Sequence, residues 1–417
     1  MSTRTYSPTV NDRFFEPLNE AIAAASGLWP CREFPDEQWL RMGVQRVLEA
    51  SESGRGFLQE HGLRFDPAPD VANYFASLRS SRRCQLAREV HEGLIAAVEA
   101  RVSDRLGDIP ELARYACLAA DGHWHKAAVH DLRHDGSKLA VGHFYALNLR
   151  THTLRHLAAG EGLHEHDMSA LKRIKPKGLR QGVPKGTRVL MVYDKAGIDF
   201  DYWDRCRREC AVYFLSRVKE RMVFAWVADH AWDQNDPRNH GVLGDWKVHS
   251  RQGHVLRLIM YQDPLTGEVY EFLTNEPDVP PGVIAELYRR RWEAEKVFDE
   301  LKNKLGQKKA WGTTLVAKEA QALMIAMTHN LLLAYEYDLE QRHDLTNTAE
   351  DQRRRQRIES AERACAEMNW PMSSLLLVAR RATQRSLKFI RWLRHAIRDR
   401  LAESVAVARL RELYAVL

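Results

Sequence analysis

Leu287-Tyr-Arg-Arg-Arg-Trp-Glu-Ala-Glu-Lys-Val-Phe-Asp-Glu-Leu-Lys302 is the stretch from which the rest of the chain can be read. Its apolar residues recur at three-four spacing, which predicts an amphipathic helix running from just after Pro280-Pro281 to about Leu305. At about 100° per residue, with Tyr288 at zero, Arg291 falls at about −60°, Glu295 at about −20° and Lys302 at about −40°. Leu287, Phe298, Leu301 and Leu305 form the neighbouring stripe, between about −80° and −140°. The helix is expected to lay that stripe on a core and to set a Tyr-Arg-Glu-Lys row along the rim. An ordinary helix with i, i+4 ion pairs has the same pattern, so the row gains meaning only from what faces it.

Two upstream segments offer partners. Arg114-Tyr-Ala-Cys-Leu-Ala-Ala-Asp121-Gly122 reads as a buried strand ending in Asp-Gly, and Arg188-Val-Leu-Met-Val-Tyr-Asp194 as another ending in Asp. Strand ends are where α/β sheets place ligands, although an Asp ending a strand is commonly a turn former or cap. His125–Leu132 and Ala140–Arg150 are expected as strands about a turn near Asp135-Gly136, and His164–Ile174 as a short helix. Asp201–Cys210 reads as helix and Ala211–Val218 as strand. Residues 221–275 are strand-like, with a hairpin turn at Asp263-Pro-Leu-Thr-Gly267. Trp39–Ala50, Val71–Ser80 and Gln85–Leu106 have helical periodicity, and so has most of the chain after residue 313. Asn347–Glu359 is so charged that it predicts a solvated helix or a linker. The sum is a mixed α/β core between helical flanks.

Composition narrows the function. In 417 residues, 45% are apolar and 28% charged, enough to bury a core and too patterned for disorder. The longest apolar stretch, Ala320–Tyr337, is interrupted by Gln321, Thr328, His329 and Asn330, so no membrane span is expected; the first 20 residues lack the apolar region of a secretory signal. Six scattered cysteines without a C-x-x-C pair fit a reduced cytoplasmic protein. Net charge is only +6, but it is unevenly placed. Lys172, Arg173, Lys175, Lys177, Arg180, Lys185 and Arg188 lie between Asp167 and Asp194 with no acid among them, and Arg380–Arg400 holds eight bases and one acid. Two such runs point to a polyanion such as nucleic acid, a solvated face being the plain alternative.

Tyr288-x2-Arg291-x3-Glu295-x6-Lys302 matches in full the Y-R-E-K signature of DDE transposases, and the chain resembles the insertion-sequence-four family of these over most of its length. The contexts of Asp121 and Asp194 are similar to the family's first and second catalytic aspartates. They depart from it just downstream, where His123 replaces an expected Thr or Ser and Lys195-Ala-Gly an expected Arg-Gly. The resemblance implies an RNase H-like catalytic core over residues 111–312 with a β-rich insertion at about 221–275. It also implies a helical DNA-binding region over 1–110 and a helical basic region over 313–417. It implies cut-and-paste transposition, with Asp121, Asp194 and Glu295 as ligands of two Mg²⁺ ions, Mn²⁺ being a possible substitute. Tyr288, Arg291 and Lys302 would contact DNA near the cut. The partners implied are double-stranded DNA at element ends and target, and a second copy of the chain. A nucleoid-associated place in the bacterial cytoplasm follows. The chemistry suits the residues: carboxylates hold hard cations, and two ions about 3.5–4 Å apart activate the attacking oxygen and steady the leaving one. In some relatives a Trp of the insertion stacks on a flipped base, which makes Trp232 and Trp246 candidates by location.

Other readings compete. His123-Trp-His125 spells the His-hydrophobe-His metal motif of Tyr-nucleophile nickases, and His164-Glu-His166 is a further pair. Neither accounts for the Y-R-E-K match. Cys206 and Cys210 have helical spacing but no evident zinc partners. No G-x-x-x-x-G-K-[ST] loop is present, so no nucleotide cofactor is expected. A non-catalytic DNA-binding descendant of a transposase stands as the alternative from another class.

Overall fold

The computed structural model describes residues 7–29, 31–51, 53–66, 68–126, 128, 140–160, 167–346, 348–378 and 383–415. They build one nine-stranded sheet: β1 (Tyr115–Lys126), β2 (Ala140–Asn148), β3 (Leu154–Ala159), β4 (Arg188–Val192), β5 (Val212–Arg217), β6 (Ala225–Asp229), β7 (Val242–His249), β8 (Val255–Gln262) and β9 (Val269–Thr274). The spatial order is β3-β2-β1-β4-β5-β9-β8-β7-β6. Strands β1, β4 and β5 run parallel, with β2 antiparallel to both β1 and β3. A three-strand meander followed by two parallel strands is the RNase H-like arrangement. Strands β6–β9 extend the same sheet, joined through antiparallel pairing of β5 with β9.

The central strands are buried on both faces. In β4 and the residue after it, Val189, Met191 and Tyr193 enter one core while Leu190 and Val192 enter the other, as the two-residue period of a strand requires. The smaller core is closed by the helix Phe200–Cys210 through Tyr202, Trp203 and Cys206. The larger lies under the N-terminal helices, of which Val10–Ala24, Asp36–Leu48 and Ser81–Glu99 pack on the 29-residue helix Leu315–His343.

The polar residues that interrupt Ala320–Tyr337 explain why that stretch is a core helix. Asn330 donates to the carbonyl of Leu154 at 3.0 Å and accepts from its amide at 2.8 Å, clamping β3. Gln321 donates to the Lys309 carbonyl and accepts from the Trp311 amide. Thr328 donates to the Met324 carbonyl, and His329 Nε2 lies 3.0 Å from the His152 carbonyl oxygen. No described helix is long and apolar enough to cross a membrane.

Several expectations need correction. The first strand does not stop at Asp121. It continues to Lys126, because β2 pairs with it from Asp121↔Tyr145 to Lys126↔Ala140. What ends near Asp121 is the pairing with β4, whose last register pair is Ala119↔Val192. His125 therefore belongs to β1, not to a separate strand, and the expected turn at Asp135-Gly136 lies outside the described residues. Strand β3, which carries no strong alternation, was not expected. The long helix after Pro280 is not regular. Pro281–Arg290 is followed by a tightened turn in which the Arg291 amide donates to the Tyr288 carbonyl, then by Trp292–Asp299, then by a π-turn over Glu300–Lys304. Buried Glu300, at the start of that turn, accepts from the amide and guanidinium of Arg385 at 2.7 Å each. The highly charged segment forms the solvated helix Thr348–Glu367.

Candidate active site

The sheet presents its acids at one end. The β1–β4 pairing ends at Ala119↔Val192, two residues before Asp121 on one strand and two before Asp194 on the other. β1 continues past this point while β4 turns away. Asp121 lies where one side of β1 has lost its partner; its Oδ1 accepts from the Gly122 amide at 2.8 Å. Asp194 caps the short turn Lys195–Gly197, accepting from the Lys195 amide. The helix after Pro280 crosses this end of the sheet and supplies the third acid.

Arg291 ties two of the three together. Its Nη2 lies 2.7 Å from Glu295 Oε1, and its Nη1 lies 3.6 Å from Asp121 Oδ2. The residue is only 5% exposed. Burial works against its charge, but Tyr288, Glu295 and Asp121 outweigh that and hold the guanidinium more firmly protonated than usual. Tyr288 is buried with its ring 5.0 Å from that of Phe272. Burial pushes its phenol up; Arg291 draws it down, and the Asp194 carboxylate adds to the rise.

Lys302 is exposed in the π-turn, close enough to His123 for its charge to act there. The turn shifts it from the position that a regular helix would give. His123 is buried, its ring 5.7 Å from that of Phe298 and its Nε2 3.4 Å from the Gln307 carbonyl oxygen. Burial lowers its pKa to about 4. It is a core imidazole in the helix packing, which removes support from the His-hydrophobe-His reading; His164 and His166 lie outside the described residues. Cys206 and Cys210 are buried free thiols on the inner side of the helix Phe200–Cys210.

Carboxylate oxygens are the donors Mg²⁺ prefers, but their placement here does not yet form a site. Among the described residues, no three of His, Cys, Asp and Glu gather closely enough to hold an ion. A guanidinium lies between Asp121 and Glu295 instead.

The basic run 172–188 divides in two. Arg180 donates to the carbonyls of Cys210 and Thr187, Arg188 donates to Tyr115 Oη at 3.0 Å and pairs with Asp278 at 3.1 Å, Arg173 donates to the Ala159 carbonyl, and Lys172 pairs with Asp199. Lys175, Lys177 and Lys185 are exposed. In the second run, Arg385 is buried between Glu300 and Glu336 and Arg394 donates to the carbonyls of Leu48 and Lys304; Arg380 and Arg381 lie outside the described residues. Trp232 and Trp246 are half-buried in packing, whereas Trp292, next to Arg291, is 55% exposed. Its place on the polar side of the helix was the signal available in the sequence.

Residues 134–331 match the family model described as "Transposase DDE domain". The match takes in Asp194 and the whole Tyr288–Lys302 row, begins after Asp121, and supports a DDE transposase, a class of metal-dependent DNA-cleaving enzymes. Among solved structures, the chain is similar to "Cryo-EM structure of piggyBac transposase synaptic complex with hairpin DNA (SNHP)" at 11% identity and a TM-score of 0.38, over 98% of this chain and 82% of that one. No curated protein matches it.

Proposed function

We propose that this chain is a cut-and-paste transposase of the insertion-sequence-four type, which cleaves DNA at element ends and joins them to a target. What supports the reading is the Arg291 guanidinium, 2.7 Å from Glu295 and 3.6 Å from Asp121, just past the point where the pairing of β1 with β4 ends. Asp121, Asp194 and Glu295 are the residues proposed to hold Mg²⁺, or Mn²⁺ in its place. Those ions, when bound, would supply Lewis-acid activation of the attacking oxygen and stabilisation of the leaving one.

The chain's own cations bind and orient the DNA. Exposed Lys302 gives a point-charge contact to a phosphate beside the carboxylates, and a freed Arg291 gives a bidentate one. Buried Tyr288 sets the position of Arg291. The nucleophile is water for nicking and a DNA 3′-hydroxyl for joining, so no protein nucleophile is required. Lys175, Lys177 and Lys185 extend phosphate contact away from the cut without reading sequence. The proposed assignment places end binding in residues 1–110, chemistry in 111–312 with its insertion at about 221–275, and further backbone contact in 313–417. The acting form is a homodimer on DNA, in the bacterial cytoplasm with the nucleoid.

The test uses the full chain and a labelled duplex carrying the DNA that flanks its reading frame. The parent is expected to cleave this duplex in Mg²⁺ or Mn²⁺, and Asp121→Asn, Asp194→Asn and Glu295→Gln to bind it normally without cleavage. Substantial cleavage by Asp194→Asn would overturn the site. A parent chain that binds but never cleaves would favour the non-catalytic alternative.

A further inference from the structure

We propose that Arg291 is a latch on the carboxylate site: in the free chain its guanidinium stands between Asp121 and Glu295 where a cation belongs, and a DNA phosphate must draw it out before these acids accept a divalent ion. This rests on the functional reading above and adds a control to it.

The geometry supports this in three ways. First, one guanidinium faces both acids, at 2.7 Å from Glu295 and 3.6 Å from Asp121, so it neutralises two of the carboxylates that would hold an ion. Second, the arginine proposed to touch DNA is 5% exposed and cannot reach a phosphate from where it lies. Third, its fit is incomplete, since the buried Nε has no hydrogen-bond partner and the Asp121 contact is long.

Carboxylate and phosphate both suit the planar guanidinium fork, so the exchange conserves the kind of bond and changes only its partner. A ligand shifts such an equilibrium only by its differential affinity for the two states. DNA has that difference, because its phosphate is paired only when Arg291 swings out. Metal loading is thereby coupled to the binding of DNA.

The experiment measures Mn²⁺ binding to the full-length chain without DNA, by calorimetry and by loss of the free-ion resonance signal. Arg291→Met keeps most of the stem and removes the charge; it is expected to bind Mn²⁺ about tenfold tighter than the parent or better. Adding Asp121→Asn to that variant should remove the gain. Arg291→Lys, which keeps a charge but loses the fork, is expected to fall between the two and serves as the deciding variant if Arg291→Met does not fold. Equal Mn²⁺ affinity in the parent and the folded variants would overturn the latch. That outcome leaves cleavage by the parent, and hence the functional reading, standing or falling on its own test.

Discussion

Two regions of this molecule bury charged and polar side chains, and they do so differently. In the helix Pro281–Arg290, Glu286 pairs with both Arg289 and Arg290, and Arg290 also donates to the main-chain carbonyl of Arg105. Behind β3, Asn330 and Gln321 use donor and acceptor alike. At the end of the sheet the same kinds of residue are left half-open: the Glu295 side chain is 38% exposed and that of Asp121 20%. A saturated buried network specifies structure, whereas an unsaturated one at a surface is available for exchange with a ligand. The difference separates the acids of this helix into those that hold it in place and the one that faces chemistry.

The largest expected effect tests that division directly. Glu286→Ala leaves Arg290 buried without its carboxylate and is expected to cost about 3–5 kcal/mol in denaturant unfolding. Glu295→Ala removes a half-exposed partner and is expected to cost about 1 kcal/mol or less, while abolishing cleavage. Equal stability losses in the two variants would erase the distinction.

A smaller effect comes from acid. His91 is 1% exposed on the helix Ser81–Glu99, facing Arg155 and His156, and neither ring nitrogen has a hydrogen-bond partner. Burial lowers its pKa to about 3, with the charge of Arg155 adding to the shift. The unfolded chain takes up a proton near pH 6.5 that the folded chain refuses, so stability falls as pH drops from about 6.5 towards 3. The loss is about 1.5–2 kcal/mol by pH 5. His91→Leu should remove that share of the acid sensitivity without lowering stability at pH 8, because no hydrogen bond is lost. An unchanged slope of stability against pH between 6.5 and 5 would show that His91 is not the titrating group.

Much of this was legible in the sequence. The strands around Asp121 and Asp194 could be read from apolar runs, and the hairpin β8–β9 from its Asp-Pro-x-x-Gly turn. The stripe of Leu287, Phe298, Leu301 and Leu305 is buried as its periodicity implies. What could not be read was tertiary in origin. Strand β3 is held by pairing with β2 and by Asn330, a residue 176 positions away. The break at Arg291 and the π-turn at Glu300 coincide with contacts to Asp121 and Arg385, which no local period encodes. Burial of Tyr288 and Arg291 was hidden for the same reason: helix angle gives the side of a helix but not how deep that side lies. The basic run showed its charge without showing that four of its members are engaged by carbonyls, a phenol and acids.

That run supplies the smallest effect on the fold and a final form of the comparison. Arg180 and Arg188 belong to the saturated class; Lys175, Lys177 and Lys185 belong to the open one. Arg180 closes the carbonyl end of the helix Phe200–Cys210 through Cys210, so its loss is expected to reach the smaller core. The three lysines touch nothing that the fold needs. Their joint replacement by Gln is expected to change stability by no more than about 0.5 kcal/mol. On DNA the ranking reverses. Each phosphate neutralised contributes about 0.9 to the slope of log affinity against log salt, so the triple variant should flatten that slope by about 2–3, equally for end-bearing and unrelated duplexes. Arg180→Gln should leave the slope nearly unchanged while lowering the denaturant midpoint. Titrating both proteins against the two duplexes between about 50 and 200 mM salt decides the matter. A flattened slope in Arg180→Gln, or an unchanged one in the lysine variant, would mean that partner-free exposure is not what marks the DNA-facing residues of this surface.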